Sequence, residues 1–317
     1  AKHAMGVANA TDGLQIGLMA GGIEDGDEVI ICSHTMVATA SSIHYAGGVA
    51  VPVDTAPDHT IDTSTIEEAI TSKTKAIMPT QLNGRTTNMD VIQQIADKHG
   101  LLVFEDAAQA LGSKFKGKCA GTFGVTSSIS FFPAKTLGCL GDGGIVLTND
   151  SDIYAKLICL HDHGRGFDNT YKEWGYNTRL DNLQAAILNY KLDHYDSHVS
   201  KRREMAAIYN EFLKDIPQLH LPPAPDSDPD HFDIYQNYEI EAENRDGLKQ
   251  FLADNGVGTL IQWGGIAIHQ FRQLGFTQTP ENTERMFKHL LLLPMHPYLV
   301  EEDVKYICGV IKRFYEQ

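Results

Sequence analysis

Two short stretches of the chain end in side chains that could do chemistry. Leu101-Leu102-Val103-Phe104-Glu105-Asp106-Ala107-Ala108-Gln109 is an apolar run that closes on two carboxylates and then small residues. Asp106 falls where a strand of an α/β sheet presents ligands, at its carboxyl end. Taken alone, it reads more simply as the N-cap of a following helix, because a short acceptor side chain satisfies the free amides there. Ser127-Ser128-Ile129-Ser130-Phe131-Phe132-Pro133-Ala134-Lys135 is a second strand that runs into a proline and a lone lysine, with Gly138, Gly141, Gly143 and Gly144 just beyond. By itself that lysine reads as an exposed loop residue. The glycines match neither G-x-G-x-x-G nor the P-loop.

The two stretches mean more together. A lysine that forms a Schiff base must have its amine pKa lowered, by a sheltered pocket or a nearby cation. Pyridoxal phosphate (PLP) needs such a lysine and an acidic partner for its ring nitrogen, because the protonated ring is the electron sink. It also needs phosphate donors, which the amides of a helix start provide. Asp106, Ser130 and Lys135 fall on two neighbouring strand ends, and Asn9-Ala10-Thr11-Asp12-Gly13-Leu14 offers a helix start with a hydroxyl.

The elements that must position these residues are legible as a pattern. Near-continuous apolar strands are expected at Glu28–Cys32, Val49–Val53, Ala76–Thr80, Leu101–Glu105, Ser127–Phe132 and Gly144–Leu147, with amphipathic helices such as Thr65–Ser72 and Met89–His99 between them. Strands of this kind separated by helices predict an α/β class, with a mainly parallel central sheet covered on both faces. One long helix is expected from Asp181 to about Leu213, followed by a Pro- and Asp-rich junction at residues 221–229. Beyond it, a strand at Asp233–Ile240, a helix at Arg245–Asn255, a strand at Thr259–Trp263 and a final helix at Glu301–Tyr315 predict a small α+β domain. The division is therefore a large domain over residues 1–215, ending in the linking helix, and a small domain over 216–317.

The order of these motifs resembles the DegT/DnrJ/EryC1/StrS family of sugar aminotransferases, in the fold-type I group of PLP enzymes. The matching stretches are Asn9–Leu14, His34–Thr39, Thr74–Ile77, Glu105–Ala110, Ser130–Lys135, Gly141–Gly144 and Gly175–Asp181, which run through nearly the whole chain. The resemblance implies that Lys135 binds the cofactor and then moves the proton, that Asp106 pairs with the ring nitrogen, and that Gln109 lies against the ring and its 3′-oxygen. Ser130, with Thr11 and Asp12, would hold the phosphate. Asn177 would reach the phosphate of a neighbouring subunit, so a homodimer with shared active sites is implied. Arg179 and His163 would line the sugar-nucleotide side, although as isolated residues they read equally as a surface ion pair and a loop histidine. The implied reaction passes an amino group from an amino acid, by family habit L-glutamate, to a nucleotide-linked 3- or 4-keto-6-deoxy sugar. The product would be an amino sugar for surface polysaccharide or natural-product biosynthesis.

The chain departs from the family pattern in three places. Met36 stands where an aromatic usually stacks on the ring, and a thioether covers a ring face by dispersion. Gln262-Trp263-Gly264-Gly265 replaces a more usual His-aromatic pair, which points to a distinct substrate. The sequence opens close to the first motif, where the family pattern leads one to expect a preceding stretch. Three rival readings stand: a PLP-fold protein with a regulatory, non-catalytic role, a PLP-dependent sugar dehydratase, and a nucleotide-binding dehydrogenase, which the lack of a G-x-G-x-x-G after the first strand disfavours. Dehydrating relatives carry His where this chain has Lys135.

Bulk properties narrow the field. A chain of 317 residues with 42% hydrophobic and 21% charged residues has the composition of an ordinary globular protein. A net charge of −15 disfavours nucleic acid as a partner. No apolar run approaches the roughly 20 residues of a membrane span, and no secretion signal is expected from the opening residues. Cys32, Cys119, Cys139, Cys159 and Cys308 are odd in number and scattered, which argues against disulfides and a zinc site and suits the cytoplasm. No metal site is expected.

Overall fold

The computed structural model describes residues 1–316. β1 (His3–Val7) leads through Asn9, whose side chain accepts the Asp12 amide, into α1 (Ala10–Ala20). β2 (Glu28–Cys32), α2 (Val37–Tyr45) and β3 (Val49–Val53) follow, then β4 (Thr74–Met78). α3 (Met89–His99) is capped by the Asn88 side chain at its start and by Gly100, at φ 67°, at its end. The next strand comes in two pieces, β5 (Leu102–Val103) and β6 (Glu105–Asp106). β7 (Lys114–Phe115) and β8 (Lys118–Cys119) form a small hairpin before β9 (Ser127–Ser130) and β10 (Gly144–Thr148).

One half of the central sheet has the order β3-β2-β4-β5 and is wholly parallel. The other half, β1-β10-β9-β6, joins it through β5–β6 and a parallel bridge between Thr80 and Asp106. β10 runs against both of its neighbours, while β6 and β9 are parallel. Side chains alternate across the sheet: Val29 and Ile31 pack among residues of α1 and α2, whereas Ile30 and Cys32 pack among residues of α3. Both faces are thus apolar and covered, as a parallel sheet requires.

The rest of the chain contains α4 (Ser151–His161), α5 (Asn182–Leu192), α6 (Tyr195–Leu213), β11 (Leu219–His220), β12 (His231–Phe232), β13 (Tyr238–Ala242), α7 (Arg245–Asp254), α8 (Glu281–Met286), β14 (Leu290–Leu293) and α9 (Glu301–Tyr315). β11, β13 and β14 form an antiparallel sheet whose core is shared with α6, α7 and α9. In α9, Val304, Ile307, Cys308 and Ile311 fall on one buried stripe at helical spacing.

Several expected elements differ. Thr65–Ser72 is not a helix but lies across two 3₁₀ turns, Thr63–Thr65 and Glu67–Ala69, because hydroxyls bond the backbone locally: Thr65 Oγ1 reaches the Asp62 carbonyl at 2.8 Å. The helix expected from Asp181 to Leu213 breaks in two at Asp193–His194. The strand expected at Asp233–Ile240 begins pairing with its sheet only at Tyr238, since His231 and Phe232 pair with β7 instead. Thr259–Trp263 keeps a single bridge, Leu260 to Leu292; Trp263, Gly264 and Gly265 turn left-handed at φ 49°, 68° and 77°.

Candidate active site

The parallel strands end where Asp106, Ser130 and the turn carrying Lys135 meet. Asp106, at the end of β6, is 4% exposed. Its Oδ2 accepts from Thr39 Oγ1 at 2.6 Å and its Oδ1 from the Ala108 amide at 3.1 Å. Thr39 comes from α2 and is itself 2.7 Å from Thr35 Oγ1, which is 2.8 Å from Thr80 Oγ1. Burial raises the Asp106 pKa, against the donors Thr39 and Ala108 and the Lys135 charge. No cation bonds this carboxylate directly among the described residues.

Lys135 sits in the turn after β9, where its amide bonds the Phe132 carbonyl at 2.8 Å. Burial lowers its pKa, while the negative charge of Asp106 works the other way. The turn is clasped from the C-terminal half by Gln236. Its Oε1 accepts from the Thr136 amide and from Thr136 Oγ1, both at 2.6 Å, and its Nε2 donates to the Ala134 carbonyl at 2.9 Å. Gln236 is held in turn by Arg202 of α6, whose Nη1 donates to the carbonyls of Tyr235, Gln236 and Met295.

A third corner comes from the sheet register. Gly144 pairs with Ser130 on one side and Val7 on the other, so Ser130 lies two strands from the chain that enters α1. A Cβ on Gly144 would lie 2.7 Å from the Asn9 carbonyl carbon, so only glycine lets β10 approach the start of that helix. Asn9 takes the Asp12 amide at 2.9 Å, and its carbonyl takes the Gly13 amide at 3.1 Å. The amides of Ala10 and Thr11 have no acceptor within the helix. The Thr11 amide is thus left free at the helix start, whereas the Asp12 amide is already committed to Asn9. Gln109 Oε1 accepts the Asn83 amide at 2.8 Å, and Met36, 49% exposed, stands at the start of α2.

His163, Asn177 and Arg179 are not brought into this cluster within one chain. All three are exposed on the segment between α4 and α5. The His163 amide bonds the Tyr176 carbonyl at 2.8 Å, Asn177 bridges Asp162, and Arg179 pairs with Asp162 at 2.7 Å.

Residues to which the sequence assigned no role fill the next layer. Thr39 and Gln236 are examples, and Glu105 is another: fully buried, it accepts from Gln81 Nε2 at 2.8 Å and from the Gly121 and Phe123 amides at 2.9 and 2.6 Å. A pair of carboxylates beside each other on a strand thus splits its tasks, with Glu105 bracing loops and Asp106 facing the site. A desolvated amine, a buried acceptor without its own cation, and a corner of amides and a hydroxyl suit an aromatic aldehyde with a cationic ring nitrogen and a phosphate. The residues present fit PLP.

The model of the DegT/DnrJ/EryC1/StrS aminotransferase family matches residues 1–312. The chain belongs to this family. A Geobacillus stearothermophilus relative named a pleiotropic regulatory protein is 41% identical over 99% of this chain and 86% of its own length. The dTDP-3-amino-3,4,6-trideoxy-alpha-D-glucose transaminase of Streptomyces venezuelae is 35% identical over 99% of this chain and 83% of its own. The crystal structure of S. venezuelae DesV in complex with a ketimine intermediate superposes with a TM-score of 0.93, at 34% identity over 99% of this chain and 85% of that one. The chain is thus a fold-type I, PLP-dependent aminotransferase.

Proposed function

We propose that the chain transfers an amino group from L-glutamate to a 3- or 4-keto-6-deoxy sugar carried on a nucleoside diphosphate. The observation that carries this reading is Asp106, a buried carboxylate met by a hydroxyl and an amide and by no bonded cation. The sugar-nucleotide substrate is supported by the likeness to the Streptomyces transaminase.

Bound PLP supplies an electron sink through its protonated ring. Asp106 holds the proton on that ring nitrogen. Lys135, whose amine burial shifts toward the neutral form, takes a proton from a substrate carbon and returns it from the same Nζ. Gln109, with its oxygen already committed to the Asn83 amide, has its Nε2 left to donate to the 3′-oxygen. Ser130 and the Thr11 amide hold the phosphate, with Asp12 beside them, and Met36 covers one ring face. Asn177 serves the neighbouring subunit's phosphate, and His163 and Arg179 its sugar side. Trp174, 96% exposed on the same segment, with exposed Phe167 and Tyr171 near it, gives that surface the apolar character of a contact with a second copy. The active unit is then a homodimer, each subunit having a large domain over residues 1–215 and a small one over 216–317. It works in the cytoplasm, making an amino sugar for surface polysaccharide or natural products.

Titration of the cofactor-loaded protein tests this. Glutamate should shift the visible absorbance, and one member of a panel of UDP-, GDP- and dTDP-linked keto-sugars should restore it. A response to glutamate with none to any keto-sugar would remove the substrate assignment. The name of the Geobacillus relative favours one second reading, a regulator. A regulator would bind PLP and turn over neither partner.

A further inference from the structure

Next to the cofactor corner, with Asn83 bonded to both Gln109 and Glu239, lies a buried group that the amino transfer does not use. His34, in the turn between β2 and α2, is 0% exposed and meets Trp263 and Phe287 edge-on, with centroids at 5.3 and 5.0 Å. Neither of its ring nitrogens has a hydrogen-bond partner, a costly arrangement for a wholly buried polar ring. Its Nε2 is 3.4 Å from Glu239 Oε2, and His59 Nδ1, from the loop after β3, is 3.0 Å from that same oxygen. One ligand atom from each of the three lies within 4.8 Å of the others.

We propose that His34, His59 and Glu239 form a binding site for a divalent transition metal of the zinc class. Zinc bonds His nitrogen and carboxylate oxygen at about 2.0–2.1 Å, which places neighbouring ligand atoms of a tetrahedral centre about 3.4 Å apart. Two of the three separations, 3.4 and 3.0 Å to the shared Glu239 oxygen, lie near that edge, and the third is within 4.8 Å. Two imidazoles and one carboxylate leave a fourth position open, and they select against calcium and magnesium, which take oxygen ligands. The outer layer fits as well. The remaining nitrogen of His59 is 3.5 Å from Glu241 Oε1, within reach but not hydrogen-bonded, and Arg285 grips that carboxylate in turn. A ligating histidine backed by a carboxylate through its second nitrogen is the usual support for a bound metal. Glu239 is oriented by Asn83 Nδ2 at 2.9 Å and Gln262 Nε2 at 2.8 Å. The scattered cysteines argue only against a thiolate site, and this group uses none.

Uptake displaces the proton shared by His59 and Glu239 to solvent and involves no change of oxidation state. His220, which is exposed, lies beside His59 and Glu241. The ion joins the turns after β2 and β3 to β13, so it ties the central sheet to the C-terminal one.

The test uses the cofactor-loaded protein, stripped with a chelator and dialysed against zinc or cobalt(II). One zinc per chain by elemental analysis, four-coordinate cobalt bands and a zinc-dependent rise in Tm are expected. Glu239→Gln retains an acceptor for only one of its two donors, Asn83 and Gln262, and it should weaken zinc binding by more than about a hundredfold, beyond the loss typical of an outer partner. His59→Gln should do the same, while His220→Ala should leave the stoichiometry at one. Wild-type protein without stoichiometric uptake would mean that the group holds a proton only, and it would overturn the proposal. Undiminished uptake in Glu239→Gln would do so too, as would uptake lost in His220→Ala but kept in Glu239→Gln. Should Glu239→Gln fail to fold, the wild-type cobalt spectrum decides alone.

Discussion

Arg85 and Asp106 are both buried charges, at 8% and 4% exposure, but their surroundings differ. Arg85 is met by Asp58 at 2.9 Å, Asp233 at 2.6 Å and Asp228 at 3.6 Å. Asp106 is met by a threonine hydroxyl and an amide. The first charge is completed by the chain itself and serves stability. The second lacks a matching charge in bonding distance, and such incompletely compensated groups cluster where a protein works on something else.

The largest way to break this contrast is Lys135→Ala. Turnover should fall by at least about 10⁴-fold, the upper range for a positioned acid–base group, and the cofactor's visible band should vanish while the apo-protein's Tm stays close to wild type. Arg85→Ala should do the reverse. It strands Asp58 and Asp233, so chemical denaturation should show a loss of about 3–5 kcal/mol, with the remaining folded enzyme still binding PLP. Asp106→Asn should lower kcat by about a hundredfold, the lower range for acid–base tuning.

The pH response sharpens the comparison, because the two carboxylates shift in opposite directions. Asp58 has its pKa lowered: burial acts against its anion, but Arg85 and the hydroxyl and amide of Thr60 together outweigh it. Its contribution is present above the unfolded carboxylate's pKa and is lost as pH falls through the lower folded value. The stability deficit of Asp58→Asn should therefore shrink in acid. Asp106 has its pKa raised by burial, so its anion costs the apo-protein stability at neutral pH. Apo Asp106→Asn should be at least as stable as wild type there, and the gap should close as pH falls through the raised value. Denaturation series across the acid range check both signs. The smallest effect is that of Thr39→Val. Removing one of the two donors to Asp106 should cost the apo-protein about 1–2 kcal/mol.

The elements best read from sequence were those whose signals lie close together in the chain. α3 and α9 match their expected bounds because a buried stripe at helical spacing coincides with clear ends, such as Asn88 and Gly100 for α3. The grouping of Asp106, Ser130 and Lys135 was legible for the same reason: the first two close a strand at its carboxyl end and the third sits in the turn just beyond. Thr65–Ser72 misled because its hydroxyls bond locally, and Thr259–Trp263 because its paired glycines support a left-handed turn. The second layer was not legible. Thr39 lies on a helix far from Asp106 in sequence, and Gln236 precedes a strand in the other half of the chain. His34, His59 and Glu239 share no spacing that marks them as a group. Their meeting depends on how the two sheets pack.

The clasp of Gln236 on both sides of Lys135 has one more implication. Three hydrogen bonds join the reactive amine's turn to the backbone just ahead of β13, and Arg202 fastens that backbone to α6. A swinging motion of the C-terminal half would have to break those bonds or carry the lysine with it. The turn that carries the amine is therefore tied to the C-terminal half, and a shift of that half either strains these three bonds or re-aims the nitrogen.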